Sequence, residues 1–195
     1  MKTPTPVTLA SPDVRLEPLT PAHTDALARV GLDPELWRWI PTPIGSVEEM
    51  RTYVATALEE QQRGVSLPFA IVDATSGEAV GSTRFGNIDV PNCRLEIGWT
   101  WLAPAWQRSG ANREAKLLML THAFDVLGCR RVEFKTDSNN EPSRTALLGI
   151  GATFEGIFRK HMVMPGDGVR HSAWYSVIDD EWPLVKAGLE ESLRR

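Results

Sequence analysis

Cysteine is nearly missing from this chain. Only Cys93 and Cys129 occur in 195 residues, too far apart for the C-x-x-C spacing of a redox or zinc pair. Both thiols are therefore expected to stay free in a reducing compartment, and no metal is expected. Long hydrophobic runs are missing as well. No stretch approaches the ~20 apolar residues of a membrane-spanning helix, and the opening "MKTPTPVTLASP" lacks the apolar centre of a signal peptide. The expected location is cytoplasmic, with no membrane partner. Nor is there an excess of positive charge. With 21 Lys and Arg against 25 Asp and Glu, the net charge is −4 and the pI near 5.6, which leaves no bulk electrostatic case for binding nucleic acid. A local basic patch stays open, since "CRRVEFK" and "FRKH" concentrate positive charge, with a solvated face the plainer reading of "FRKH". Two phosphate fingerprints are absent too. No G-x-x-x-x-G-K-[ST] run exists, and "GIGATF" at 149–154 lacks a third glycine and follows a helical pattern rather than a strand.

What is present is an ordinary globular composition, 42% hydrophobic and 24% charged, in a length that fits one domain. Residues 1–13, rich in Pro and Thr, are expected to be loose or draped over the surface, leaving 14–195 as a single domain. "VRLEPL" alternates as a strand. A helix follows, with Thr20 as N-cap, Pro21 in its first position and Gly31 as its stop. "LWRWIPTPIG" (36–45) reads as an aromatic-rich loop or short helix, and Ser46 with Glu49 forms a capping box that opens a helix running to about Arg63. "LPFAIVDA" and "EAVGSTRFGNI" are strands joined by a turn at 75–77.

"CRLEIGWTWLAP" is the cleanest strand in the sequence. Leu95, Ile97, Trp99 and Trp101 are expected on one face, Arg94, Glu96, Gly98 and Thr100 on the other. The helix after Gly110 turns Ala115, Leu118, Leu120, Phe124 and Leu127 towards a sheet and ends at Gly128. A strand ("RRVEFKTD"), a short helix ("NEPSRTALLGIG"), a hairpin around the Pro-Gly-Asp-Gly turn at 165–168 and a C-terminal helix complete an α/β domain without internal repeats.

The stretch "WQRSGANREAK" (106–116) joins a strand to a helix through small residues. A helix N-terminus leaves four amides without intrahelical partners, and its dipole favours an anion. A turn of Ser109, Gly110, Ala111 and Asn112 lets a phosphate come close enough to use them. The alternative is a glycine that permits a tight turn, with water on the amides.

With "EIGWTWLAP" before it, Gln107-Arg108-Ser109-Gly110-Ala111-Asn112 resembles the acetyl-CoA pyrophosphate loop of the GNAT N-acetyltransferases, roughly [QR]-x-x-G-x-[GA]. "NREAK", "AFDVLGCRRVEFKTD", "NEPSR", "GATFEGIFRKH" and "YSVIDDEWP" place the resemblance in the RimJ/RimL-like branch, which contains ribosomal-protein N-terminal acetyltransferases. It runs from about Val14 to the C-terminal helix. Asn112 departs from the Gly or Ala common at the sixth loop position, and its side chain is suited to capping the helix.

The resemblance implies the GNAT fold, a central mixed, mostly antiparallel sheet flanked by helices. Its strands 94–102 and 130–136 splay to leave the acetyl-CoA slot. By the same resemblance, Gln107, Arg108, Ser109, Gly110, Ala111 and Asn112 hold the pyrophosphate. A backbone N–H near Trp101 or Leu102 polarises the thioester carbonyl, and Asn140 binds the pantetheine arm. Ser143 sits near the sulfur as proton donor or positioning group. Capping of a helix is the plainer role for Asn140 and Ser143.

Amine attack needs a neutral amine, since α-amino groups have a pKa of about 8. Glu96, eleven residues before Gln107, resembles in its offset the catalytic glutamate of histone-type members. Its alternative is a structural carboxylate paired with Arg94, Arg84 or another cation. Glu133 and His161 are further candidates for the base, and Tyr175 for the thiol's proton donor. Trp37 and Trp39 fall where the family walls the acceptor side, or are core tryptophans. "FRKH" would suit an acidic acceptor or the CoA 3′-phosphate.

The activity implied is direct acetyl transfer from acetyl-CoA to a primary amine, without metal or covalent enzyme intermediate. A protein N-terminal α-amine comes first as acceptor. A small-molecule amine (a polyamine or amino sugar) comes second, and a non-catalytic acyl-CoA-binding module is the rival class. Relatives of this branch are often dimers, so a homodimer is among the expectations.

Overall fold

In the computed structural model, residues 1–194 are described, and they build one open eight-stranded sheet with helices on both faces. The strands are β1 (Leu9–Ala10), β2 (Val14–Pro18), β3 (Leu67–Asp73), β4 (Ala79–Asp89), β5 (Arg94–Leu102), β6 (Arg131–Asp137), β7 (Thr153–Met164) and β8 (Gly168–Ile178). The helices are α1 (Thr24–Gly31), α2 (Val47–Gln62), α3 (Ala111–Thr121), α4 (Glu141–Gly149) and α5 (Trp182–Leu193). The sheet order is β1-β2-β3-β4-β5-β6-β8-β7, antiparallel throughout except for β5 beside β6. The N-terminal segment is draped over the body: Leu9–Ala10 pairs with β2, and the Lys2 amide donates to the Leu127 carbonyl.

Strand β3 shows why two helical layers form. Leu67, Phe69 and Ile71 join one apolar cluster, with Ala115, Met119 and Leu120 of α3. The alternate residues Ala70 and Val72 join a second, with Leu27 and Ala28 of α1 and Met50 and Val54 of α2. Period-2 side chains that are apolar on both sides must be covered on both. Local signals set the ends of α2 and α3. Ser46 Oγ accepts from the Glu49 amide at 3.2 Å to cap α2. Gly128, with φ +74°, ends the π turn (His122–Leu127) that prolongs α3.

Strand β5 departs from the expected alternation. Ser82 pairs with Trp101 and Arg84 with Gly98, so Thr83 alone faces Trp99 and Thr100. This β-bulge inserts one residue and reverses the parity of everything after it. Leu95 and Ile97 face α3, as does Leu102, but Trp101 is turned to the α1/α2 layer. Trp99 takes φ +50°, a left-handed conformation costing roughly 1–2 kcal/mol for a residue of this kind. Its ring lies over Gly86, directly opposite Glu96. The expectation that the tryptophans share a face with Leu95 and Ile97, opposite Glu96, is thus corrected, because the bulge brings Trp99 onto the face of Glu96.

The parallel ladder of β5 and β6 is short. Arg94, Leu95 and Glu96 pair with Arg131, Val132 and Glu133, and there the pairing stops, although β5 continues to Leu102 and β6 to Asp137. From Ile97 onwards the β6-facing backbone groups of β5 have no strand partner. The gap opens towards the carboxyl ends of two parallel strands, where ligand crevices of α/β sheets form.

Candidate active site

Two loops flank that gap, one leaving each parallel strand. After β5 comes a 3₁₀ turn at Pro104–Trp106, then residues 107–110, then α3. Arg108 has φ +63° and Gly110 φ +97°, and alternation of this kind turns successive amides into a concave anion-binding nest. Gly110 is the helix N-cap, and no side chain caps it. Asn112, expected to lend a cap, is instead the second residue of α3. The Ala111 amide donates to Ser109 Oγ at 3.3 Å, while Ser109 Oγ donates to the Trp106 carbonyl at 2.7 Å. Gln107 Nε2 donates to the Leu102 carbonyl at 3.3 Å, tying the loop back to the strand. A Cβ on Gly110 would meet nothing within 4 Å, so the space over the turn is open.

After β6, Asn140 caps α4 by accepting the Ser143 amide at 3.2 Å. The capping role expected of Asn140 is therefore present, with Ser143 half-buried in the first turn at the same end of the sheet as Gly110. Tyr175 is fully buried, and its hydroxyl accepts from Arg144 Nε at 3.0 Å beneath α4. Trp101 and Leu102 are both buried, 4% and 7% exposed, and the indole Nε1 of Trp101 has no hydrogen-bond partner among the described residues.

On the α1/α2 side, cations and rings alternate across four strands. The Arg84 guanidinium lies 5.0 Å from the ring centres of both Tyr53 and Trp99. The Lys135 ammonium lies 5.6 Å from Trp99 and 5.5 Å from Trp174. Each such contact contributes roughly 0.5–2 kcal/mol, more as water is excluded. Carboxylates sit beside both cations: Glu60 accepts from Arg84 at 2.9 Å, and Glu96 Oε2 accepts from Lys135 at 2.9 Å and from Asn87 Nδ2 at 2.7 Å. Glu96 is only 2% exposed, and a Cβ on Gly98 would come within 2.8 Å of its other oxygen, Oε1. Of the cations open to it, the partner is thus Lys135, neither Arg94 nor Arg84. Glu133 is held by Arg131 at 2.8 Å and Arg94 at 3.2 Å, outside this cluster.

The outer hairpin closes against the 34–45 loop. Arg170, 7% exposed, donates to the Trp39 carbonyl at 3.0 Å and to Ser172 Oγ at 3.1 Å. Ser172 Oγ lies 2.9 Å from His161 Nδ1. Burial first, then Lys135 and Arg170, push the His161 imidazole below its ordinary value, so the ring is neutral at neutral pH. Between the 34–45 loop, α2 and the hairpin tip is a cavity of about 600 Å³ walled by Trp37, Ile40, Ile44, Met164 and Pro165, with Arg38 and Glu49 at its polar part. Trp37 is also core: it is 3% exposed, packs 5.4 Å from Trp101 and donates Nε1 to the Gly31 carbonyl. Trp39 is half-buried and contributes its carbonyl to the Arg170 clamp.

The structure brings the residues expected at the donor end to one end of the sheet, around the gap. It adds groups that no single segment marks: Lys135 and Trp174, joined with Arg84 through Trp99, and Lys116 inside the core. Only the last left a local trace, a charge on the apolar stripe of α3 beside Ala115 and Met119.

Comparison with known proteins agrees on the family. Residues 13–153 match the acetyltransferase (GNAT) domain. The uncharacterized N-acetyltransferase p20 of Bacillus licheniformis is 26% identical over 155 residues, 79% of this chain and 86% of its own length. The crystal structure of a GCN5-related N-acetyltransferase from Brucella melitensis is 36% identical over 97% of this chain and 86% of that one, with a TM-score of 0.88. An acetyltransferase from Salmonella typhimurium that modifies the N-terminal serine of a 50S ribosomal subunit protein shares the fold, with a TM-score of 0.78 and 23% identity over 88% of this chain and 99% of that one.

Proposed function

This chain belongs to the GNAT acetyltransferase family, and from that premise we propose that it passes acetyl directly to the free α-amine of a polypeptide N-terminus, as the RimJ/RimL-like branch does. The observation that carries this reading is the gap between β5 and β6, with the amide nest of 108–112 following β5, together with a mostly apolar cavity of about 600 Å³ between the 34–45 loop and the hairpin tip. A cavity of that size accommodates a side chain and the start of a peptide. Acetyl-CoA supplies the activated acetyl group when bound.

The chain's own residues divide the work. Amides of Ser109, Gly110 and Asn112, with the dipole of α3, hold the diphosphate, helped by Gln107, Arg108 and Ala111. Backbone N–H groups at Trp101 or Leu102 hold the carbonyl oxygen as it gains charge. Asn140 orients the pantetheine arm, and Ser143 holds a proton for the departing thiolate. Glu96 takes the amine's proton through Oε1, while Asn87 and Lys135 fix Oε2 and so the carboxylate plane. Trp37 and Trp39 wall the acceptor.

Glu96→Gln is expected to lower kcat by about 10²–10⁴ as the loss of a base. It should also cost about 1–3 kcal/mol in urea unfolding, since Lys135 loses its carboxylate. Ser143→Ala should lower kcat about tenfold with little change in stability. Unchanged kcat in both, per folded molecule, removes them from the mechanism.

The function is tested by thiol release from acetyl-CoA with peptides bearing free Ala, Ser or Met N-termini, against polyamines, aminoglycosides and free amino acids. Release with peptides, abolished by blocking the α-amine, is the expected result. Release with small amines alone would move the acceptor to metabolites. Silence with acetyl-CoA bound would favour a non-catalytic module.

A further inference from the structure

Lys116 is 5% exposed, in the second turn of α3, between Ala115 and Met119, which are 0% exposed. An apolar side chain of similar length would fill this space at lower cost, because taking an amine out of water is unfavourable in either protonation state. Burial alone pushes the Lys116 amine down to about 7. No carboxylate pairs with it among the described residues. Its one hydrogen bond, at 2.7 Å, goes to Thr100 Oγ1. Thr100 Oγ1 lies 2.8 Å from Thr83 Oγ1, and Thr83 is the β4 residue facing the bulge. The chain Lys116–Thr100–Thr83 thus ties α3 to both strands where β5 gains its extra residue.

The bulge needs holding. A tryptophan at φ +50° persists only where its surroundings over-determine it. On the α2 face Trp99 is pinned by Gly86, Arg84 and Lys135. On the opposite face, Lys116 grips the next residue. The same helix begins as the amide nest, so Gly110 and Lys116 stand about 9 Å apart along one rigid rod. Movement of the nest relative to the bulge is thereby resisted.

We infer that Lys116 is a positioning residue for acetyl transfer, fixing through Thr100 the bulge of β5 against the diphosphate-binding end of α3. The inference rests on the reading that donor binds along this edge of β5. Its effect falls on the step that needs the carbonyl placed to within about an ångström, and not on the grip on CoA itself.

The test compares wild type with Lys116→Met, Thr100→Val and both together. Calorimetry measures CoA affinity, thiol release from acetyl-CoA to water and to a peptide with a free N-terminal serine measures transfer, and thermal unfolding checks the fold. Lys116→Met should keep CoA affinity within about threefold and lose at least about tenfold in the rate of thiol release. Thr100→Val should do the same, and the double variant should lose no more than either, as members of one unit do. Lowered melting temperature with an unchanged rate per folded molecule would make Lys116 structural and overturn the inference. Gly110→Trp separates this from the donor site. If that variant loses CoA while Lys116→Met is fully active, the donor site stands and the role of Lys116 falls. If neither variant changes anything, both fall.

Discussion

Gly110→Trp is expected to fold and to lose acetyl-CoA affinity by at least about a hundredfold, some 2.7 kcal/mol. Gly110 has φ +97° and ψ −24° as the N-cap of α3. Any other residue there carries roughly 1–2 kcal/mol of left-handed strain, too little to unfold a domain with this core. Nothing lies within 4 Å of its Cβ position, so the indole enters no packed atoms and occupies the open space over the nest. What it displaces is the approach of an anion to the amides, the one thing this turn offers a ligand. Gly110→Ala is the control, because it carries nearly the same strain with only a methyl group. Alanine should bind acetyl-CoA within about tenfold of wild type. If calorimetry gives wild-type affinity for the tryptophan variant, the diphosphate lies elsewhere and the loop is only a tight turn.

That this turn could be found in the sequence, while the bulge could not, has a physical reason. Turn and cap chemistry is local. Ser46 with Glu49, Gly110 before α3, Gly128 after it and the Pro-Gly-Asp-Gly hairpin turn each announce themselves within a few residues, and the helices and strands begin and end there. A bulge is a property of a pairing. "LEIGWTW" satisfies period 2 from Leu95 to Trp101, and only the register against β4 shows that Thr83 faces two residues. Gly98 was the one local hint, since glycine inside a strand often marks a bulge.

The cation–ring series is less legible still. Arg84, Trp99, Lys135 and Trp174 come from four strands and meet only because β5 lies between β4 and β6, with β8 beyond. The GNAT resemblance foretold the splay and the two loops. Glu96 stands out by its offset from the loop, but its partner Lys135 is 39 positions away and across the gap's origin.

Gly86→Ala tests whether that series governs chemistry, and its effect should be larger than a methyl group suggests. The left-handed region is not involved at Gly86, so alanine suits the backbone, and the whole effect comes from its Cβ. That carbon would lie 2.2 Å from Cζ3 and 2.6 Å from Cη2 of Trp99. A flexible side chain would swing aside, but a ring edge cannot bend, and this ring is held between Arg84 and Lys135. Overpacking of this kind costs about 1–3 kcal/mol, and loss of the two cation–ring contacts adds about 1 kcal/mol or more. Urea unfolding should therefore show a loss of about 2–4 kcal/mol. Once the ring is expelled, its residue loses one of the restraints that keep it left-handed, and β5 can slip towards ordinary pairing with β4. The backbone groups of 97–102 then leave the positions the gap requires, and thiol release should fall by about a hundredfold. The nest at 108–112 lies outside the stack, so CoA affinity should stay within a fewfold. Adding Trp99→Ala to Gly86→Ala removes the clash, so stability should recover in part while activity does not, because the restraint on the bulge is gone. A Gly86→Ala protein as stable and as active as wild type would mean that the ring yields freely and that the bulge is not held from this face.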